Sequence, residues 1–425
     1  MKEKTRMRKK IVLICAVLIL FLSKQGFPDE YYVSPRGADN NDGSESNPWK
    51  TIQHAQTVLN PGDIVSVKNG VYKEALIITS GGTQGLPIAY IAYPGHTPII
   101  DATGHFAGIN IKSGTEYIIV DGFQIENSNE GIYVFKSNHI TIKNCIVRNM
   151  GEGGISCKGS HYISILNNRI QNIGLSGGGI GVNGEGIYIG QGGEGGHKLF
   201  CHDVIIKDNE LSQVWEGIEI KDDCYNILIE NNNLHEITNG GAIQIHNVVE
   251  NHNYRNILVR NNLIYNVTIK STSVHWATGI RLYAGCEVYN NVIYSIQGNG
   301  IRAIGGYEPV NTYTQRIYHN TIYNTGLTSI EKIDNPKTDI LNNLGIALTG
   351  NLPSSLDLFM DADKNDFHLK SNSKAIDIGV DVGIDVDFDG NKRPVGEHPD
   401  LGAFEYIPQN DLQAPEPPKN IKVSH

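Results

Sequence analysis

The sequence predicts an all-β solenoid in which short strands stack in successive coils. Three observations indicate it: an excess of glycine and asparagine, a recurring Gly-Ile phrase and a recurring asparagine-rich phrase. The chain has 425 residues, of which 47 are glycine and 43 are asparagine, while 40% are hydrophobic and 19% are charged. This composition supports a core and argues against a disordered chain or a coiled coil. The repeats favour one solenoid of about ten coils over two or three separate domains.

The Gly-Ile phrase marks one strand in each coil. Apolar and polar residues alternate after each glycine, as in a half-buried β-strand. One unit cannot bury its own apolar face, so the units must stack and share a core. The glycines recur at intervals of 21 to 38 residues, at positions Gly108, Gly131, Gly154, Gly186, Gly217, Gly241, Gly279 and Gly300.

The asparagine-rich phrase follows each of these strands and is predicted to form a corner. It occurs at residues 167–168, 208–209, 231–232, 261–262, 290–291 and 319–320. Glycine and asparagine both tolerate the left-handed backbone that corners require. We also expect asparagines of successive coils to stack as a side-chain ladder.

Residues 1–26 have the composition of an export signal. They hold seven basic residues, one acidic residue and the apolar run Ile11–Leu22. That run is too short to span a bilayer comfortably, so a secreted or cell-surface protein is expected, with an uncleaved anchor as the alternative.

The remaining chain divides into four predicted parts. Ile52, Ala55, Val58 and Leu59 share one face of a helix that would cover the N-terminal end of the core. The predicted parts are an N-terminal cap with the first coils (27–100), the repeats (101–345), a closing segment (346–406) and a Pro-rich tail or linker (407–425).

Three pieces of the chain together resemble the right-handed parallel β-helix proteins of the pectate-lyase-like superfamily. The first is the N-terminal segment from Tyr31 to Tyr72, and the second is the repeat itself. The third includes Phe367-His368-Leu369-Lys370 and Asp400-Leu401-Gly402-Ala403-Phe404-Glu405. The resemblance implies a right-handed parallel β-helix with an N-terminal helical cap and a C-terminal closing segment. That fold is used by lyases, epimerases, hydrolases and non-catalytic adhesins.

Alignment of the Gly-Ile strands places functional side chains in columns. One column is apolar and must face inward: Ile111, Val134, Cys157, Ile189, Ile220, Ile245, Leu282 and Ala303. The columns beside it then face outward, with about 4.8 Å between rungs, and line a cleft roughly 10–15 Å long. In the middle coils they hold Tyr188, Glu219, Lys221, Gln244, His246, Arg281, Tyr283 and Arg302, with Glu185 and Glu216 before two of the glycines.

This set of residues suits β-elimination at a uronic acid. The reaction needs a base for the C5 proton and a positive charge that neutralises the neighbouring carboxylate. Lys221 is the predicted base, Arg281 the predicted partner of the carboxylate or leaving group, and His246 a third catalytic candidate. The predicted substrate contacts are Tyr188, Gln244, Tyr283 and Arg302. The predicted oxygen ligands for Ca²⁺ are Glu185, Glu216, Glu219, Asp222 and Asp223.

The arrangement is similar to that of the chondroitinase-B and alginate-lyase family. The resemblance implies acidic calcium ligands, a lysine base and an arginine on neighbouring coils. The segment Glu216-Gly217-Ile218-Glu219-Ile220-Lys221 carries acids ahead of a lysine, although its spacing differs from the pattern of that family.

The net charge of the chain limits the classes of molecule that it can bind. The formal charge is -10, and removing the +6 of residues 1–26 gives -16. Such a chain is not attracted to nucleic acid or to an anionic membrane, and it would need Ca²⁺ or a local basic patch to hold an acidic polysaccharide. We expect a monomer that binds a polysaccharide, does not bind nucleic acid and has no membrane contact beyond the export signal.

Other functions stay open at the level of sequence. An epimerase is one, and a glycoside hydrolase using Glu219 with Asp222, or Asp222 with Asp223, is another. A third is a non-catalytic carbohydrate-binding or surface protein. Structural explanations compete as well: solvated ladder charges for Glu219 and Lys221, a surface position for His246, and pairing with neighbouring acids for Arg281 and Arg302.

Two smaller patterns are expected to be structural. Asp385–Asn391 resembles the start of a calcium loop, but the glutamate required at the twelfth position is missing, which favours a turn. The cysteines after Cys15 are odd in number, which favours isolated buried thiols.

Overall fold

The structure, a computed structural model, describes residues 28–174, 184–191, 199–221, 223–246, 256–269, 274–305, 314–334 and 337–408. Almost every regular element in these ranges is a strand. In chain order they are β1 (Glu30–Val33), α1 (Ile52–Ala55), β2 (Ile64–Val67), β3 (Val71–Tyr72), β4 (Leu76–Ile78), β5 (Ile88–Ala92), β6 (Ile99–Asp101), β7 (Ala107–Ile111), β8 (Glu116–Asp121), β9 (Gln124–Glu126), β10 (Glu130–Phe135), β11 (Asn138–Lys143), β12 (Ile146–Met150), β13 (Gly153–Lys158), β14 (His161–Leu166), β15 (Arg169–Ile173), β16 (Glu185–Ile189), β17 (His202–Lys207), β18 (Glu210–Val214), β19 (Glu216–Ile220), β20 (Tyr225–Glu230), β21 (Asn233–Thr238), β22 (Ile243–Ile245), β23 (Ile257–Arg260), β24 (Leu263–Thr268), β25 (Ile280–Leu282), β26 (Glu287–Tyr289), β27 (Val292–Ile296), β28 (Ile301–Ile304), β29 (Gln315–Tyr318), β30 (Thr321–Thr325), β31 (Ile330–Ile333), β32 (Thr338–Leu341), β33 (Phe359–Asp361) and β34 (Asp366–Leu369). Val274–Trp276 and Ala362–Lys364 are 3-10 helices.

The strands form three parallel sheets that each receive one strand from every full coil. Sheet A has the order β1-β2-β5-β8-β11-β14-β17-β20-β23-β26-β29-β32. Sheet B has the order β3-β6-β9-β12-β15-β18-β21-β24-β27-β30. Sheet C, which contains the Gly-Ile strands, has the order β4-β7-β10-β13-β16-β19-β22-β25-β28-β31. Three parallel sheets wound in this order make a parallel β-helix, as predicted.

The core is a continuous apolar column inside the coil. All eight residues of the predicted inward column are fully buried. They belong to one hydrophobic cluster that extends from Val33 to Ile340. The alternation read from the Gly-Ile strands therefore gave the correct inward face.

The glycines of the Gly-Ile phrase serve close packing rather than a left-handed backbone. Positive φ is found at other glycines, and Gly131, Gly154, Gly186 and Gly217 are not among them. A Cβ on Gly217 would lie 2.2 Å from the carbonyl oxygen of Ala242 on the next coil. The expectation that these glycines mark left-handed corners was wrong, because the spacing between coils is what excludes a side chain.

The predicted asparagine ladder is present and is buried. Asn168, Asn209, Asn232, Asn262, Asn291, Asn320, Asn343 and Asn351 each donate from Nδ2, or accept at Oδ1, along one continuous row at 2.9–3.0 Å. The residue before most of them, such as Asn231 or Asn261, has a left-handed backbone with φ near 55°. In each asparagine pair, the first residue therefore turns the chain, and the second forms the hydrogen bonds that connect neighbouring coils.

The N-terminal helix is shorter than predicted. It is a single turn, in which Ile52 and Ala55 are fully buried and Thr51 caps the first turn. Leu59 packs against the core from a partly buried position, whereas Val58 is 41% exposed. The chain after Gln56 turns toward Pro61-Gly62, so the four residues do not share one helical face.

The closing segment forms its own small core at the C-terminal end. Strands β33 and β34 pair antiparallel, and Phe359 and Phe367 pack into a second apolar cluster with Leu344 and Phe404. A buried ion pair joins Arg393 to Glu405 at 3.2 Å. Both oxygens of Asp387 accept hydrogen bonds from Asp389, Asn391 and Glu405, which accounts for the aspartate-rich stretch as a turn.

The cysteines Cys145, Cys157, Cys201, Cys224 and Cys286 are buried free thiols, as expected. Within the described ranges, no helix has the length and apolar character needed to cross a membrane. The predicted export signal and most of the predicted tail lie outside the described residues.

Candidate functional site

The predicted site residues lie along the outer face of sheet C. Strand register places Tyr188 beside Glu219, Glu219 beside Gln244 and Gln244 beside Arg281. Arg302 follows on the next rung. The row spans four intervals, or about 19 Å at the usual strand spacing.

Three glutamates of this face form a carboxylate cluster. Glu185 and Glu216 pair in register before the glycines of β16 and β19, and Glu219 lies three residues after Glu216 on β19. One oxygen from each lies within 4.8 Å of the others. Glu185 and Glu219 are only 7% and 3% exposed, while Glu216 is partly buried. In the part of the chain that the structure describes, this is the group of acidic, histidine or cysteine side chains that could hold a metal ion.

Glu219 has two cationic neighbours on one of its oxygens. Its Oε1 lies 2.6 Å from the Lys221 ammonium and 2.7 Å from Nε2 of His246. The other oxygen, Oε2, is buried and accepts no hydrogen bond from the described residues. A buried carboxylate oxygen without a donor is costly, so a ligand at this position would stabilise the site.

The three carboxyl groups differ in proton affinity. Burial, together with the charges of Glu219 and Glu216, raises the pKa of Glu185 to about 8. Burial and Glu219 also raise the pKa of Glu216. Burial acts on Glu219 in the same direction, but its hydrogen bond to His246 and the charge of Lys221 outweigh it and lower its pKa. The cluster therefore combines one carboxyl group whose pKa is lowered with two whose pKa values are raised.

The rim of the cluster is made of a lysine and aromatic rings. The Lys221 ammonium lies 5.4 Å from the centre of the Tyr188 ring. His246 stacks on Tyr283 with ring centres 5.6 Å apart. All four side chains are partly exposed, so a ligand can reach them from solvent.

Arg281 points outward yet is 1% exposed. Its guanidinium donates to Oε1 of Gln244 at 2.9 Å and to the Trp276 carbonyl at 3.0 Å. The Trp276 ring covers it at 4.7 Å and is itself 49% exposed. Gln244 is 2% exposed. The outward-facing Arg281 is therefore covered by the Trp276 ring, and its hydrogen bonds hold Gln244 and Trp276 in place.

The other predicted residues lie apart from the cluster. Arg302 pairs with Glu331 at 2.7 Å, so its charge is already neutralised by an acid on the next rung. Asp223 is buried in the turn after β19 and is not one of the three clustered carboxylates. Asp222 lies outside the described residues. Of the five predicted calcium ligands, the structure brings together Glu185, Glu216 and Glu219.

The sequence reasoning did not assign a role to Lys158 or Tyr133, which occupy the same two outward columns on earlier coils. The Lys158 ammonium lies 5.4 Å from the Tyr133 ring and 5.2 Å from the Tyr188 ring. The sequence does show a lysine and a tyrosine at every second coil. Their proximity follows only from the register of β10, β13 and β16.

Comparison with known proteins agrees with the geometry. The family model described as the Pel9A-like, right-handed β-helix region matches residues 31–201. Residues 31–201 are thus similar to this Pel9A-like β-helix region. The resemblance to the pectate-lyase-like superfamily predicted from the sequence is thereby confirmed, and the parallel sheets continue the same helix beyond the matched residues.

Two curated relatives of this β-helix match shorter stretches. Uncharacterized protein YwoF of Bacillus subtilis (strain 168) is 31% identical over 140 residues, which are 30% of each chain. Pectate lyase L of Thermoclostridium stercorarium is 29% identical over 128 residues, which are 29% of this chain and 10% of that protein. The match thus spans less than a third of the length of either relative.

Solved structures of low sequence identity share the fold over most of the chain. A rhamnogalacturonan lyase superposes with a TM-score of 0.62 at 17% identity, covering 78% of this chain and 91% of that one. Pectate lyase Pel9A gives a TM-score of 0.56 at 15% identity, covering 91% and 98%. The GH136 lacto-N-biosidase from Eubacterium ramulus gives 0.54 at 14% identity, covering 73% and 68%. The same β-helix therefore supports both lyases and a glycoside hydrolase.

Proposed function

We propose that this protein is a Ca²⁺-assisted polysaccharide lyase that cleaves an acidic, uronate-containing polysaccharide by β-elimination. The observation that carries the proposal is the contact of Lys221 with Glu219, because it places a candidate base beside a cluster of three carboxylates. The relative named pectate lyase L and the neighbours named rhamnogalacturonan lyase and pectate lyase Pel9A support a lyase. The predicted export signal is consistent with a substrate outside the cell.

The carboxylate cluster fits Ca²⁺. All its ligand atoms are oxygens, the atoms that Ca²⁺ prefers, and they lie within 4.8 Å of one another. The buried Oε2 of Glu219, which accepts no hydrogen bond from described residues, would gain a partner. Glu185, Glu216 and Glu219 would hold the ion, which when bound supplies positive charge against the uronate carboxylate and the carbanion-like charge at C5.

Lys221 is the proposed base. As a neutral amine it would take the C5 proton at Nζ, after which the electron pair of the C–H bond forms the C4–C5 double bond and the C4–O bond to the leaving sugar breaks. A bound cation close to an ammonium group favours the neutral amine form.

His246 is the proposed donor of a proton to the leaving oxygen. It lies within reach of the same substrate position because both it and Lys221 contact Oε1 of Glu219. Its ring is fixed by the stack on Tyr283, which orients the imidazole toward the cluster. Arg281 is proposed to act through Gln244 and Trp276, which it holds in position, rather than by touching the substrate.

A glycoside hydrolase is the second candidate, and one observation favours it. Glu185, with a pKa near 8, would retain a proton at neutral pH, while Glu219 would be ionised. A protonated and an ionised carboxyl group close together are the acid and nucleophile of a retaining hydrolase. This pair replaces the pairs with Asp222 considered from the sequence.

The experiment that separates the candidates is a substrate screen. Purified protein is incubated with polygalacturonate, alginate and chondroitin sulfate, with Ca²⁺ or with EDTA. The expected result is ultraviolet absorbance from an unsaturated uronate product that EDTA abolishes. Reducing ends without that absorbance would instead establish hydrolysis, and neither product on any substrate would overturn both enzymatic proposals in favour of a binding protein.

A further inference from the structure

A strip of tyrosines and lysines continues along sheet C from the carboxylate cluster toward the N-terminal coils. In register, Glu219 lies beside Tyr188, Tyr188 beside Ser156 and Ser156 beside Tyr133. Phe135 lies beside Lys158 in the adjacent column. The strip thus begins at the proposed catalytic residues and extends over β16, β13 and β10.

Cations and rings alternate along this strip. The Lys158 ammonium is inserted between the Tyr133 and Tyr188 rings, at 5.4 and 5.2 Å from their centres. Lys221 lies on the same Tyr188 ring at 5.4 Å. Tyr188 is therefore shared between the strip and the carboxylate cluster, and the two surfaces are continuous.

The outer end of the strip is exposed and aromatic. Phe106 is 50% exposed and meets the Tyr133 ring edge-on, with centres 5.1 Å apart. Phe135 lies almost parallel to Tyr133, and Lys136 lies 5.3 Å from the Phe135 ring. Exposed Lys112 occupies the outward column one rung before Phe135. Contiguous aromatic rings on a surface are typical of a binding site, whereas single exposed rings are common on any protein.

The charge of the strip is opposite to that of the chain. The protein has a formal net charge of -10, yet Lys112, Lys136 and Lys158 make no ion pair with an acid among the described residues. Of the acids that precede these strands of sheet C, Glu152 is exposed, whereas Glu130 is 6% exposed and accepts a hydrogen bond from Ser156 at 2.6 Å. Its carboxylate therefore lies on the same outer face as Ser156 but is largely hidden from solvent.

We infer that this strip is an extended binding surface for an acidic polysaccharide, with lysines for its carboxylates and aromatic rings for its C–H faces. The inference rests on the proposed function for the sugar class. Lys112 and Lys158, like Tyr133 and Tyr188, recur at every second coil, about 9.6 Å apart. That interval is comparable to the length of a disaccharide, so equivalent groups of a regular polyuronate would meet equivalent side chains. The bound chain would run from the carboxylate cluster toward β7.

The inference is tested by affinity electrophoresis in native gels that contain polygalacturonate, alginate or chondroitin sulfate, with dextran as the neutral reference. The variants are Lys112→Met, Lys158→Met and Tyr133→Ala. Lys143→Met is the matched control, because this lysine lies on sheet A and pairs with Asp121. Lys112 is exposed, so its variant is expected to fold even if the others are destabilised.

The expected result is retardation of the parent protein in at least one acidic gel, and not in dextran. Lys112→Met and Lys158→Met should each weaken it about three- to tenfold, with a smaller effect at high salt. Lys143→Met should bind as the parent does. Unchanged retardation in the Lys112 and Lys158 variants, equal retardation in dextran, or no retardation in any acidic gel would overturn the inference.

The two proposals fail in different ways. Binding that depends on Lys112 and Lys158 in a protein that releases no unsaturated product would leave the strip established and the lyase refuted. Unsaturated product formed equally well by both variants, with unchanged binding, would leave the lyase established and the strip refuted.

Discussion

Glu219 and Lys221 lie two residues apart on the same outer face of β19, with the Lys221 ammonium 2.6 Å from Oε1 of Glu219. Alternation along a strand places them side by side, but register between coils is what adds Glu185, Glu216 and His246 around them. A pair that would be an ordinary surface ion pair on an isolated strand is here part of a largely buried cluster of three carboxyl groups, one lysine and one histidine.

Lys221→Met should abolish elimination. Loss of the base is expected to reduce the rate of unsaturated product formation by about 10²–10⁴. Lys221→Arg should be equally inactive, because a guanidinium does not lose its proton at accessible pH. The measurement is initial rate of ultraviolet absorbance, with melting temperature as a check on folding.

Lys207→Met is the matched control for this variant, since Lys207 forms a similar ion pair with Glu230 at 2.8 Å on sheet A. It should retain the parent rate. Full activity in Lys221→Met would remove Lys221 from the mechanism.

Ca²⁺ should raise the melting temperature of the parent protein but not of Glu219→Gln. A ligand that binds only the folded state stabilises it by about 2.7 kcal/mol at one hundred times its dissociation constant. Replacing the carboxylate removes charge from the oxygen set that favours Ca²⁺. Thermal melting is followed by circular dichroism with Ca²⁺, Mg²⁺ or EDTA, without any substrate.

Glu130→Gln serves as the control, because Glu130 is buried on the same face of sheet C but outside the cluster. It should keep the full response to Ca²⁺. An equal response in Glu219→Gln would place the calcium site elsewhere, and no response in the parent would refute it.

Asn262→Ala should destabilise the β-helix by several kcal/mol. Asn262 is fully buried, donates to the carbonyls of Ile229 and Arg260, and joins Asn232 to Asn291 in the ladder. Each buried polar group left without a partner costs about 1–3 kcal/mol. Urea unfolding followed by circular dichroism measures the loss.

Exposed Asn372 supplies the comparison for the ladder. Asn372→Ala should stay within about 0.5 kcal/mol of the parent. A similarly small effect for Asn262→Ala would mean that the ladder contributes little to stability.

His368 should stabilise the closing segment below neutral pH and lose that effect in alkali. Hydrogen bonds to Asp389 and Asp366, at 2.7 and 2.6 Å, raise its pKa to about 9 from 6.5. A group whose pKa is raised in the folded state stabilises that state fully below about pH 6.5. This stabilisation is lost as the pH rises through about 9. The side chain is 49% exposed, so screening limits the gain to about 1 kcal/mol or less.

The measurement is the urea midpoint of the parent and of His368→Gln at pH 6 and at pH 10. The variant should be less stable at pH 6 and equal to the parent at pH 10. His105→Gln, at an exposed position, is the control and should follow the parent at both values. A constant difference between His368→Gln and the parent at the two pH values would show that charge is not the cause.

Much of the fold could be predicted because it depends on local periodicity. The inward column, the asparagine ladder and the stack of coils all follow from the strict alternation and the recurring corner phrase. The physical reason assigned to the Gly-Ile glycines was wrong, since their requirement comes from the carbonyl of the next coil. A close contact with the next coil excludes a side chain at these glycines without requiring an unusual backbone conformation.

Exposure could not be predicted in the same way. The outward direction of Glu219, Gln244 and Arg281 was correct, yet all three are nearly buried. Trp276 reaches its place over Arg281 from a separate 3-10 helix, and nothing in the local alternation indicates where that helix lies.

The sequence by itself determined that the chain forms a parallel β-helix, which face of each strand is inward and which residues can meet on sheet C. Strand alternation and backbone hydrogen bonding act between near neighbours, so they leave a readable period. Only the tertiary structure decided which of the candidate acids share one cluster, that Arg302 pairs with Glu331, and that Lys158 lies between two tyrosines. Those relations depend on side-chain distances across coils and on what covers them, and residues far apart in the chain set both.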